Sequence, residues 1–174
     1  MQKHILEAVS GLALCSFLLL APAAKAEPVV LVCAGQEKTK YTPGLTYAQR
    51  QVSFTGQADL DCPLLTPAVG TATIKTSGSS MQSCTPALTS ASSQITIDWG
   101  DGTRSVARGS TVLSTKPLGE SVITLTGTVV SGRFKDATIV RTLTLLAPDP
   151  ALCNTSQGVT QVEGPSTLEV LKLF

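Results

Sequence analysis

The chain has 174 residues, of which 43% are hydrophobic, 4% aromatic and 14% charged, with a formal net charge of +1 and a mean hydropathy of +0.25. A disordered chain of this length would carry more charge and fewer β-branched residues, so the composition describes one modest globular domain. The 13 basic residues nearly cancel the 12 acidic ones and form no run. Without a basic surplus to release phosphate counterions, nucleic acid is not an expected partner.

The chain opens on Lys3 and His4, continues through an apolar run over residues 11–20, and reaches Ala24-Lys25-Ala26. A basic start, a short apolar stretch and a small-x-small tripeptide form a secretory signal. The run is shorter than the roughly 20 apolar residues that span a bilayer. The expected organisation is therefore a signal peptide over 1–26 and a single secreted, extracellular domain over 27–174, with no membrane attachment after cleavage. Leu14 stands before Cys15, where a lipoprotein signal has a small residue. Cleavage also removes His4, the only histidine, and leaves a formally neutral chain.

Beyond the signal, period-2 alternation and β-branched residues dominate, and no long stretch shows a 3.6-residue period. Strands are predicted over 28–33, 50–60, 70–76, 94–99, 104–113, 121–130, 137–146 and 167–173. Eight short strands between Gly, Pro, Asp and Ser turns suggest an all-β, immunoglobulin-like antiparallel β-sandwich. Alternation assigns faces: Ile123, Leu125 and Val129 point one way and the threonines between them the other, as do Ile139, Leu143 and Leu145. Ile95, Ile97 and Trp99 repeat the pattern, which places Trp99 between the sheets or, failing that, on a binding platform.

Two segments read as loops. Thr42-Pro43-Gly44-Leu45 suggests a type II turn, with Tyr41 and Tyr47 beside it. Residues 76–93 are rich in Ser and Thr and contain Cys84, so a long pinned connection is expected there. Four cysteines remain after cleavage, namely Cys33, Cys62, Cys84 and Cys153. An even count in an exported domain implies two disulfides, and four cysteines allow three pairings. Cys62–Cys84, closing the polar excursion, and Cys33–Cys153, tying the first strand to the region before the last, are the favoured pairs. Zinc is not expected, because no C-x-x-C pair or mature histidine is present.

Ile97-Asp98-Trp99-Gly100-Asp101-Gly102-Thr103-Arg104-Ser105 is the densest local signal. Asp-Gly between alternating runs is a hairpin turn, with Gly102 supplying positive φ and Asp101 bonding nearby backbone. Asp98 and Asp101 are also candidate calcium ligands, although a tight site uses more oxygens. Asp59 and Asp61 alternate on one strand face, and a carboxylate pair can serve a glycosidase. With no histidine in the mature chain, Ser-His-Asp and Cys-His mechanisms lose their usual general base. No S-x-x-K element or phosphate-cradling glycine loop takes their place.

The Trp-Gly-Asp-Gly-Thr-x-Ser stretch resembles the W-x-F-G-D-G motif of polycystic-kidney-disease (PKD) domains, immunoglobulin-like modules of secreted proteins, over residues 95–147. That resemblance implies a sandwich. The chain is also similar to small secreted actinobacterial proteins of uncharacterised function. The shared features are the export signal, Tyr-x-Pro-Gly-Leu at 41–45, spaced cysteines, Trp-x-Asp-Gly-x-x-Ser at 99–105, Gly-Thr-Val-x-Ser-Gly-x-Phe at 127–134 and the late Cys153. This resemblance implies no particular activity.

The expectation is a secreted, non-catalytic module that needs no cofactor and binds an extracellular polymer or protein. Tyr41, Tyr47, Trp99, Asp98, Asp101 and Arg104 are the candidate contacts, because loops at the ends of β folds commonly carry recognition. An inhibitor of an extracellular hydrolase, acting through the 76–93 segment, is the alternative. A glycosidase using Asp59 and Asp61, or Asp98 and Asp101, is a third.

Overall fold

A computed structural model describes residues 29–63, 69–85, 92–115, 121–145 and 149–171; the signal-like segment lies outside them. Eight strands follow one another, β1 (Val29–Leu45), β2 (Arg50–Asp61), β3 (Thr71–Gln82), β4 (Ser92–Trp99), β5 (Arg104–Thr115), β6 (Ser121–Gly132), β7 (Thr138–Leu145) and β8 (Val159–Leu171), with a four-residue helix, α1 (Pro150–Cys153), before the last. Each pairs antiparallel with the next, and β8 pairs back onto β1 from Val29–Leu171 to Leu45–Val159. The result is a closed up-and-down barrel.

The expectation of an all-β antiparallel chain therefore holds, and the two-sheet sandwich does not. Alternating patterns are the same for a sheet that packs on a partner and one that curls onto itself. The β1–β8 ladder decides between them, because it removes both sheet edges.

The strands are also longer than their apolar alternation. β1 was predicted to stop at Cys33, yet it continues to Leu45 with Glu37 and Thr39 buried on its inward face. β3 runs through Thr76 to Gln82, so much of the expected 76–93 loop is strand. The anticipated turn at Thr42-Pro43-Gly44-Leu45 is the tail of β1. Its Thr42–Pro43 bond is cis, and Gly44 lacks the positive φ that a type II turn requires. Gly44 instead lets two backbones meet, since a Cβ there would stand 2.5 Å from the Gln157 carbonyl oxygen.

In a meander, successive connections alternate between the two ends. One end carries the β4–β5 and β6–β7 turns and Trp99; the other carries the β1–β2 connection and α1. This alternation overturns the favoured disulfides. Cys62 follows β2 at the Trp99 end and Cys84 follows β3 at the helix end, separated by a 12-residue strand of about 40 Å. Cys33 and Cys153 are likewise at opposite ends. The structure joins Cys33 to Cys62, with Cα atoms 4.1 Å apart, one step beyond the Ala34–Asp61 pair of the first hairpin. It joins Cys84 to Cys153 at the helix end, Cα atoms 6.2 Å apart.

Inside, the largest apolar cluster fills the Trp99 end with Leu31, Leu60, Ile74, Ile95, Ile97, Ile139, Leu168 and Val170. A second, around Tyr41, Val52 and Val159, lies against the Cys84–Cys153 bridge. A third holds Leu125, Leu143 and Leu145.

Candidate functional site

At the Trp99 end, the β4–β5 hairpin turns at Gly102, whose φ is +81°. The Thr103 backbone N–H donates to Asp101 Oδ1 at 3.0 Å and its hydroxyl donates at 2.6 Å. Those bonds, with Arg133 beside it, hold the Asp101 carboxyl below the usual range. Asp98 is paired with Arg104 at 2.5 Å. Both candidate calcium carboxylates thus already serve cations of the protein itself. Among the described residues, no three metal-ligating side chains gather.

Trp99 is an interior residue, 3% exposed, with its indole N–H donating to Ser105 Oγ at 2.9 Å. Phe134, on the β6–β7 turn, folds over it edge-on with centroids 5.2 Å apart and planes at 76°. The Arg133 guanidinium lies 5.0 Å from the Phe134 centroid and pairs with Asp101. Phe134 reaches this place with φ at +57°, a conformation that bulky side chains rarely adopt. The aromatic pair is a lid on the core, and Trp99 is no exposed platform.

The two tyrosines part company as well. Tyr47 is half-exposed beyond β1, whereas Tyr41 is 8% exposed inside the barrel. Burial, and the Glu37 carboxylate on the same strand face, push the Tyr41 phenol well above its ordinary value. Tyr41 and Tyr47 lie toward the helix end and the Asp98–Arg104 turn at the other, so the six predicted contacts do not form one surface.

Between the apolar clusters runs a polar belt. Arg141 of β7 is fully buried and donates to Glu37 of β1 and to Thr76 of β3, while the Thr39 hydroxyl donates to Glu37 Oε1 at 3.1 Å. Burial lowers the pKa of Arg141, and the Glu37 carboxylate opposes that shift. A long side chain crossing the lumen requires small neighbours. A Cβ on Gly56 would meet Glu37 Oε1 at 2.5 Å, and one on Gly109 would meet Ser93 Oγ at 2.5 Å. The belt fills the interior, with Arg141, Glu37, Thr39 and Thr76 bonded to one another while Arg141 Nε, Ser93 Oγ and Ser166 Oγ are buried without a hydrogen-bond partner among the described residues.

The outer face over β8-β1-β2-β3-β4 is different. It forms a concavity of about 1170 Å³ at the level of Gly56 and Gly164. The register sets its side chains in rows across the strands. One row reads Gln161, Lys40, Thr55, Ser77, Gln94 and, on β5, Arg108. The next reads Glu163, Lys38, Gln57, Lys75 and Thr96. A third includes Gln36, Asp59, Thr73 and Asp98. Asp59 accepts from the Thr73 hydroxyl at 2.9 Å, and Asp59 and Asp61 both face outward. Lys38 lies 3.7 Å from Glu163. Among the described residues no carboxylate pairs with Lys40, Lys75 or Arg108.

Sequence reasoning missed this face because its cations are scattered over three different strands. Only the register brings them side by side. The available signal was the alternation itself, which puts Gln36, Lys38 and Lys40 on one side of β1 once the strand is carried past Cys33. Comparison with known proteins finds no matching family model, no matching curated protein and no matching solved structure.

Proposed function

We propose that this chain is an extracellular, non-catalytic binding protein whose recognition surface is the concave outer face of β8-β1-β2-β3-β4. The observation that carries the reading is that face: a concavity of about 1170 Å³ lined by lysine, glutamine, threonine and serine side chains, with Asp59 and Glu163 among them, that hold hydrogen-bonding capacity toward solvent. Loops need not supply recognition when a sheet face is this rich in donors. The buried Arg141 and Glu37 are bonded to each other inside a packed barrel, which supports binding over chemistry. Two disulfides support an oxidising, extracellular setting. No helix among the described residues is long and apolar enough to cross a membrane. A lipid-embedded barrel turns apolar side chains outward, whereas mid-strand positions here turn out Lys38, Lys40, Gln57 and Lys75 while Ile74, Ile95 and Ile97 point in.

The test is co-sedimentation of the purified, disulfide-intact protein with insoluble polysaccharides, cell walls and whole cells, in calcium and in chelator. Retention on at least one matrix, unchanged by chelator, is expected. Failure to pellet with every matrix at low salt refutes the reading, and loss of retention on chelation moves the site to Asp98 and Asp101.

A further inference from the structure

Lys40 and Lys75 line the concavity on β1 and β3, and Arg108 stands beyond it on β5; Lys40 and Arg108 share one row and Lys75 is in the next, with two strand spacings, about 10 Å across the sheet, between consecutive cations. All three side chains are exposed, and none has a carboxylate partner among the described residues. Between them lie Thr55, Gln57, Ser77 and Gln94, which are neutral donors and acceptors. Of the acidic residues nearby, Glu163 is paired with Lys38 and Asp98 with Arg104, while Asp59 and Asp61 lie beyond the two rows that hold these cations. A chain with a formal net charge of only +1 thus presents two adjacent rows in which Lys38, Lys40, Lys75 and Arg108 face one carboxylate, Glu163, with uncharged hydrogen-bonding groups filling the intervals. The stripe, two rows wide, runs across the strands, so an extended ligand that follows it meets a cation at every second strand, alternating between the rows, and amides or hydroxyls in between.

We infer that this stripe binds an acidic polysaccharide, an inference that rests on the binding role proposed above and names its ligand class. Lys40, Lys75 and Arg108 take the anionic groups, while Gln57, Gln94 and the Thr and Ser hydroxyls take sugar hydroxyls. An extended polymer satisfies both sets at once. A polyanion without hydroxyls uses only the first, and a neutral glycan only the second.

The experiment measures retention on immobilised polygalacturonate at low and at physiological salt, with dextran as the neutral polymer, dextran sulfate as a second acidic glycan and polyphosphate as a polyanion without sugar. Variants are K40Q, K75Q and R108Q, singly and combined, with K135Q at the Trp99 end as the charge-matched control; Trp99 emission verifies folding. The expected result is binding to an acidic glycan that weakens with salt, falls about tenfold in the triple variant and is unchanged in K135Q. Equal retention on dextran, equal retention on polyphosphate, or a triple variant that binds like the parent each overturns the inference and leaves the general binding role standing. Absence of retention on every polymer, cell walls included, removes both.

Discussion

Arg141→Met removes the cation from the polar belt and leaves Glu37 facing an apolar side chain. The two side chains are 0% and 2% exposed, so water cannot take over the carboxylate's solvation without opening the barrel. Breaking a buried pair from one side costs about 3–5 kcal/mol, and the lost donation to Thr76 adds about 1 kcal/mol. With a urea dependence near 2 kcal/mol per M for a domain of this size, the midpoint falls by about 2–3 M. Glu37→Met combined with Arg141→Met removes both charges and keeps comparable volume. It is expected to return to within about 1 kcal/mol of the parent or to exceed it. Urea unfolding followed by Trp99 emission, with disulfides intact, measures all three proteins. If Arg141→Met shifts the midpoint by less than about 0.5 M, or the double variant is no more stable than the single, the belt is not the buried, mutually dependent pair described above.

Phe134→Ala uncovers Trp99 at the end of the barrel. Lost aromatic contact and apolar burial predict a cost of about 2 kcal/mol, with a red-shifted and more readily quenched emission; an unchanged spectrum contradicts the lid. At alkaline pH the buried Tyr41 phenol keeps its proton after the unfolded chain has begun to lose it. Its contribution is intact below about pH 10 and declines by up to about 1.4 kcal/mol per pH unit above that value. Tyr41→Phe flattens that decline, and an equally steep one in the variant refutes the assignment. Replacing Cys84 and Cys153 by alanine releases a 69-residue loop and costs about 4.4 kcal/mol in the chain-entropy picture, against about 3.6 for the 29-residue Cys33–Cys62 loop. Peptide mapping without reduction recovers Cys33 linked to Cys62, and recovery of a Cys62–Cys84 peptide contradicts the topology.

Much of the fold was legible from alternation alone. The eight predicted strands each overlap an observed one, and Ile95, Ile97, Trp99, Ile139 and Leu143 face the interior as their spacing indicates. What alternation lost were the places where the interior is polar. Reading inward from Cys33 along β1, the next positions are Gly35, Glu37 and Thr39, and the hydrophobic signal stops although the strand does not. The same happens in β3 after Thr76, where Gly78 and Ser80 face in, and in β8 before Leu168, where Gly164 and Ser166 do. Arg141 explains the polar positions at Glu37 and Thr76, to which its guanidinium is bonded, while Gly78 makes room for the Phe54 ring and Gly164 for the Thr144 carbonyl. No local window contains that relation, because Glu37 and Arg141 are 104 residues apart. Closure was hidden for the same reason. The ladder that separates a barrel from a sandwich joins the first strand to the last, and so were the disulfides hidden, because the end of the barrel at which a cysteine lies depends on counting strand reversals. The outer cationic stripe was illegible until β1 was extended and the registers of β1 through β5 were known.

The pairing of β1 with β8 has a consequence for the order in which the protein comes into being. A ribosome delivers β1 first and β8 last, so the opening strand must wait for nearly the whole domain before its second neighbour exists. Through that interval β1 and the newest strand are bare edges, open to pairing with any other extended chain. The lysines at positions 38 and 40 and the bulge between Lys40 and Leu45 lie along this waiting edge, and charge and irregularity of that kind discourage misplaced strands. The Cys33–Cys62 link can form as soon as the first hairpin reaches an oxidising compartment, clamping the register of β1 against β2 before the ring shuts. Assembly then proceeds as a growing ribbon whose starting edge is guarded, and the final strand finds a template already aligned.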